Sequence, residues 1–187
     1  MSDPNPLARF DRAAAAADAA IAGVLPEQLE DPTPCTEWNV RQLLNHIVGG
    51  NRSFIAMQTG GGPIDRSADY LGADPLDAFR TSLAELRAVF AADGALERIV
   101  PTPFGEAPAA VLVNMRVNEM MLHGWDVAKA TGQGTDLDPE LAAECLEEFR
   151  ALRAAGRGKG MFHDPTDAPS GSAPADQLAA MAGRVVA

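Results

Sequence analysis

Apolar residues recur along most of the chain at the three- and four-residue intervals of a helix, and the strict alternation of a half-buried strand is scarce. An alanine-rich stretch from about Leu7 to Leu25 can turn Phe10, Ile21 and Leu25 toward a core before Pro26 and the Leu29 to Pro34 segment interrupt it. A second helix starts at Asn39, where an Asn followed three residues later by Gln42 has the make-up of a capping box. Its stripe of Val40, Leu43, Leu44, Ile47, Val48, Phe54 and Ile55 ends at Gly60-Gly61-Gly62-Pro63. Asp74-Pro75 supplies a cap and first position for a third helix carrying Leu76, Phe79, Leu83, Leu86, Val89 and Phe90. Leu96 to Pro108, with three prolines after Val100, reads as an extended crossover. A long fourth helix follows from about Ala109 to Thr131, stopped by Gly132, and Asp138-Pro139 opens a fifth that runs to about Ala155. Beyond it Gly, Pro, Ser and Asp dominate, apart from one short amphipathic piece from Ala175 to Ala182. The pattern predicts an all-α fold: a four-helix bundle with a long crossover, an additional helix and an irregular C-terminal tail. Residues 1–155 are expected to form the bundle, and residues 156–187 a tail packed on the same domain.

Composition narrows the partners. With 187 residues the chain can bury one sizeable core, and 47% hydrophobic against 22% charged residues argues against wholesale disorder. A net charge of −11 excludes binding to phosphate backbones or anionic lipid through clustered Lys and Arg. Aromatics at 5% leave little for a base-stacking platform. No apolar run approaches the roughly 20 residues of a membrane span, and the N-terminus lacks a basic start and apolar core of a secretory signal. Cys35 and Cys145 form neither a disulfide framework nor a CxxC metal motif. A cytoplasmic protein with no nucleic-acid or membrane partner is expected.

The three histidines, His46, His123 and His163, are few enough for their placement to be informative. His46 lies among Leu43, Leu44, Ile47 and Val48 of the second helix; His123 lies in the fourth, four residues after Glu119. That spacing puts Glu119 and His123 on one face, one turn apart, with Met115 and Leu122 nearby. A carboxylate near an apolar core is costly without a positive partner, and a divalent metal is one such partner. If His46 faces that turn, two imidazoles and one carboxylate come together, a set that suits zinc with an open position, though iron or nickel would also be accepted. The same spacing equally serves an ion pair on a helix surface or a satisfied core histidine. Asp126 follows His123 by three residues and can hold its second ring nitrogen. Trp38 and Trp125 can line a pocket or pack the bundle; Arg41, Asn45 and Arg52 share the second helix with His46. His163 sits in the tail, where it is either a solvated loop residue or a cover for the open metal position. Gly156-Arg157-Gly158-Lys159-Gly160 lacks the spacing and preceding strand of a phosphate loop.

Two segments carry a family resemblance. Cys35-Thr36-Glu37-Trp38-Asn39-Val40-Arg41-Gln42-Leu43-Leu44-Asn45-His46 and Glu119-Met120-Met121-Leu122-His123-Gly124-Trp125-Asp126-Val127-Ala128-Lys129-Ala130-Thr131-Gly132 resemble the paired signatures of the DinB/YfiT-like superfamily. More closely, they resemble its actinobacterial branch typified by mycothiol-dependent maleylpyruvate isomerase. The likeness runs from the first helix to Gly132, with a weaker echo from Ala175 to Arg184. It implies a metal, zinc by preference, held by His46, Glu119 and His123, and mycothiol as co-substrate. It also implies small-molecule partners, a thiol and an electrophile, and allows a homodimer.

The isomerase is expected to have a further C-terminal domain that a chain of 187 residues lacks, so isomerisation itself does not transfer with the fold. The function expected is therefore a zinc-dependent thiol S-transferase acting on an electrophilic small molecule, of a detoxifying kind. A zinc hydrolase of the same fold and a non-catalytic metal-binding helical module are the alternatives.

Overall fold

Among the described residues, four of the six α-helices begin where a side chain satisfies one of the first backbone N–H groups. A computed structural model describes residues 5–65, 67–102, 105–156 and 162–186. The first helix, α1 (Pro6–Ala22), is capped by Asn5. In α2 (Val40–Thr59) the Asn39 side chain accepts from Gln42 N at 2.8 Å, and Gln42 Oε1 accepts from Asn39 N at 3.0 Å, so two otherwise unpaired donors are satisfied reciprocally. Asp74 caps α3 (Pro75–Phe90). The long α4 (Ala109–Ala130) is followed by α5 (Pro139–Ala154), capped by Asp138, and by α6 (Pro174–Met181) in the tail.

Helices α1 and α4 pack along each other, as do α2 and α3, and contacts of α1 with α3 and of α2 with α4 complete the four-helix arrangement. At its centre Phe10, Leu43, Leu44, Ile47, Leu86, Phe90, Leu112 and Trp125 are buried, with Phe10 edge-on to Phe90 at 5.6 Å. Helix α6 lies against α5 and α4. From Met120 to Ala128 every residue of α4 is buried, which is how a helix covered on several sides differs from an amphipathic surface helix. Among the described residues no helix is long and apolar enough to cross a membrane.

Two expectations change. The crossover before α4 is a small hairpin, β1 (Ile99–Thr102) antiparallel to β2 (Gly105–Pro108), with Val100 opposite Ala107 and Thr102 opposite Gly105. A two-stranded ribbon is all edge, so Pro101 and Pro108 sit in it without breaking a central ladder. The first helix ends at Ala22 rather than near Leu25, which is half exposed. Its last turn is closed from outside: Gln133 Nε2 donates to Ala20 O at 2.8 Å, and only the absence of a side chain at Gly23 leaves room for that amide. The glycine-rich residues 157–160 lie outside the described residues.

Because Phe10 has no exposed surface and its ring meets Phe90, Phe10→Ala should remove about 3–5 kcal/mol of unfolding free energy. Urea unfolding followed by circular dichroism measures this.

Candidate functional site

Helices α2 and α4 bring His46 and His123 together, with ring centroids 5.0 Å apart and planes at 81°. His46 is partly buried and His123 nearly fully. Trp38 stacks on His46 at 4.3 Å and meets His123 edge-on at 6.2 Å. The loop before α2 holds this indole in place. Thr33 Oγ1 donates to Trp38 O at 2.8 Å, Trp38 N donates to Cys35 O at 2.9 Å, and Val40 N donates to Asp31 O at 3.0 Å.

Behind His123 stands a buried carboxylate. Asp126 Oδ2 lies 3.0 Å from His123 Nδ1, and Asp126 has no exposed surface. Arg184, from the tail, grips both oxygens of the same carboxylate: Nε donates to Oδ1 at 3.1 Å and Nη2 to Oδ2 at 2.9 Å. Burial alone pushes the Asp126 carboxyl up, but the hydrogen bonds from His123 and Arg184 outweigh it and hold it below the usual carboxylate range. An ionised carboxylate can only accept, so in the neutral ring Nδ1 carries the hydrogen and Nε2 keeps the lone pair.

Glu119 has found a cation of its own. Arg116, fully buried one turn earlier on α4, donates from Nη1 to Glu119 Oε2 at 2.7 Å. The rest of its guanidinium is bonded to Asn51 Oδ1 at 2.8 Å and Ile47 O at 2.9 Å, and Asn51 continues to Ser82 Oγ at 2.9 Å. The positive partner expected for this carboxylate is therefore a side chain of the same helix, and the carboxylate itself is only partly buried. Arg116, Glu119, His123 and Asp126 fall at intervals of three, four and three, so they make one polar stripe down α4.

Do these residues fit a metal? Two imidazoles bound to one tetrahedral ion through nitrogens at about 2.1 Å would hold their centroids about 5 Å apart. The observed pair has that separation, and Asp126 orients one ring as a ligand histidine requires. The carboxylate is less complete, since Arg116 engages Glu119 Oε2, leaving Oε1 as the second acceptor of the group. Among the described residues no three His, Cys, Asp or Glu side chains already stand together as a metal cage. The donor chemistry fits a zinc-type ion at the imidazole pair, with Glu119 adjacent along α4.

The other candidates separate from this centre. Trp125 is fully buried and donates from Nε1 to Asp176 Oδ1 of α6 at 2.7 Å, so it fastens the tail. Arg41 pairs with Asp69, Asn45 bonds Ala68 O and Tyr70 N, and Arg52 lies over the Tyr70 ring, so all three secure the loop after α2. His163 lines an open groove of about 450 Å³ with Pro34, Thr36, Lys129, Gly183 and Val185. Burial pushes the Cys35 thiol up against the influence of Arg184, and that of Cys145 up to about 12, so neither is poised as a thiolate nucleophile. Sequence reasoning missed Arg116 and Arg184. The first announces itself by its spacing from Glu119; the second has no local signal.

The family described as Mycothiol maleylpyruvate isomerase N-terminal domain matches residues 10–128. Two proteins described as uncharacterized, from two strains of Mycobacterium tuberculosis, are each 40% identical over 185 residues, covering 97% of this chain and 99% of theirs. Among solved structures, the crystal structure of the mycothiol-dependent maleylpyruvate isomerase superposes with a TM-score of 0.65 at 17% identity, over 82% of this chain and 72% of that one. A histidine-to-alanine mutant of the same enzyme superposes with a TM-score of 0.61.

Gly50 on α2 is the neighbour that admits Arg116, because a Cβ there would stand 2.9 Å from its Nη1. Helix propensity favours alanine at this position by about 0.8–1.0 kcal/mol. Crowding a buried, triply bonded guanidinium should cost about 1–3 kcal/mol, so Gly50→Ala is expected to destabilise. Thermal and urea unfolding of the variant decide the sign.

Proposed function

The chain belongs to the family of the mycothiol maleylpyruvate isomerase N-terminal domain, and from that membership we propose that it is a metal-dependent transferase activating a thiol of the mycothiol type for attack on an electrophilic small molecule. The observation that carries the reading is the imidazole pair, His46 and His123 at 5.0 Å, with His123 braced by a buried carboxylate. His46, Glu119 and His123 are the residues that would hold the ion, zinc by preference. When bound, such an ion supplies the positive charge that makes a thiol available as thiolate near neutral pH.

The chain's own residues prepare that chemistry. Asp126 keeps the ring hydrogen on His123 Nδ1, and Trp38 covers one face of His46 and excludes water from it. Arg116 holds Glu119 on the same stripe of α4. The reaction class is transfer of sulfur to carbon. The thiol loses its proton, a sulfur–carbon bond forms, and the displaced electron pair moves onto a leaving group or into an adjacent acceptor. Its mycothiol-dependent relative supports the choice of thiol. Residues 1–155 and 156–187 act in this reading as one folding unit, because α6 packs on α4 and α5.

The Arg116–Glu119 bond favours one second reading, a non-catalytic helical module in which the α4 stripe only braces the bundle. Metal analysis after zinc loading separates the two. Wild type should retain a stoichiometric ion, and His46→Ala, Glu119→Ala and His123→Ala should each lose most of it. Unchanged content in the first two variants would end the assignment. Turnover of a bromobimane with and without mycothiol tests the reaction; turnover indifferent to the thiol would point to water as the nucleophile and to a hydrolase.

A further inference from the structure

Arg184 lies beyond the residues matched by the family and 58 positions after the carboxylate that it grips. Its burial is unusual for an arginine in a Gly- and Pro-rich tail: only 5% of it is exposed. Several bonds fix it there. Its backbone N donates to Ala179 O at 3.0 Å, its carbonyl accepts from Thr166 Oγ1, and Nη1 donates to Ala182 O at 3.2 Å. Gly183, immediately before it, has φ +88°, and a Cβ there would stand 2.5 Å from His163 Cβ and 2.9 Å from Asp164 O. The chain can turn Arg184 inward at this point only because residue 183 has no side chain.

We propose that Arg184 is a positioning residue which, acting through Asp126, fixes the tautomer and orientation of His123, and that the C-terminal tail is thereby a working part of the candidate centre. The inference rests on the reading of His46 and His123 as that centre. The geometry behind it is a shared oxygen: Asp126 Oδ2 faces both His123 Nδ1 at 3.0 Å and Arg184 Nη2 at 2.9 Å. Because Nε holds Oδ1 at the same time, the guanidinium fork fixes the plane of the carboxylate. Oδ2 then points at His123 in one direction only. A lysine at this position would supply the charge without the fork, so the carboxylate could turn about its last torsion. His123 would then exchange between tautomers, and the nitrogen offered to the His46 side would vary.

The test uses the full-length, metal-free protein and two variants, Arg184→Lys and Arg184→Met, with 15N chemical shifts of the His123 ring as the first readout. Wild type should show one tautomer, protonated at Nδ1. Both variants should show a mixture, and Arg184→Lys, whose far-UV circular dichroism should match wild type, carries the readout alone if Arg184→Met does not fold. The second readout is zinc affinity by competition with a chelator, expected to fall in Arg184→Lys by up to about 10-fold, the lower end of the loss typical when the group bonded to a ligand histidine is itself removed. Wild-type ring shifts together with wild-type affinity in the lysine variant would overturn the inference. Failure of wild type to bind zinc would instead overturn the proposed function, and the tautomer measurement would then decide the role of Arg184 by itself.

Discussion

A carboxylate cut off from water must be matched by donors or give up its charge, and the arrangement of this protein turns on how Asp126 meets that demand. It sits at full burial on α4, one turn after His123, and its two oxygens take three hydrogen bonds from two side chains. One partner is local, while the other must come from the far end of the chain. Satisfying Asp126 thus closes the tail over α4 and holds an imidazole against α2 in the same act. Trp125, next to it in sequence, makes a second fastening to α6 through Asp176.

A second buried charge solves the same problem in the opposite sense. Arg116 has no exposed surface, and its donors go to a carboxylate, an amide and a backbone carbonyl of α2. Buried ion pairs are weak evidence for stability, since apolar residues of equal volume often serve as well. One such pair, Asp126 with Arg184, and one buried guanidinium, Arg116, whose carboxylate partner is about one-third exposed, share a single stripe of α4, and two buried charges are costly to keep for packing alone. Their geometry is better explained by what they orient: Arg116 directs Glu119, and Asp126 directs His123.

The helices were legible because their signals are local. Asn39 with Gln42, Asp74-Pro75 and Asp138-Pro139 mark starts that the structure keeps, and Phe79, Leu86 and Phe90 are buried as their spacing requires. The hairpin was not legible, since two strands of four residues carrying prolines give no alternation to read. In the candidate site, helical patterns placed His46 and His123 on two helices, and a spacing of three allowed His123 to meet Asp126. The facing of the two imidazoles was only a condition that the structure meets, since periodicity does not say which helices pack together. The bond from Arg184 could not be read, because no periodicity connects a tail residue to a helix 58 positions earlier. The stacking of Trp38 on His46 is a tertiary contact of the same sort, made by a loop that folds back over the helix it precedes.

The ion pair of Glu119 raises the question of whether it bars the proposed metal, and magnitudes answer it. Glu119 is about one-third exposed, so its bond with Arg116 belongs among pairs screened by water, worth roughly 1 kcal/mol. Arg116 would not be stranded if Glu119 shared itself, because Asn51 and the Ile47 carbonyl still hold its other donors. A metal contact of Glu119 would need to exceed only that roughly 1 kcal/mol to draw the carboxylate from Arg116, so the ion pair and the proposed metal are not exclusive alternatives. In the absence of an ion, Arg116 keeps the carboxylate neutralised on its stripe of α4, which spares the protein an unmatched charge one turn from His123. The cation that neutralises Glu119 without a metal would thus also keep the carboxylate at hand for the proposed centre.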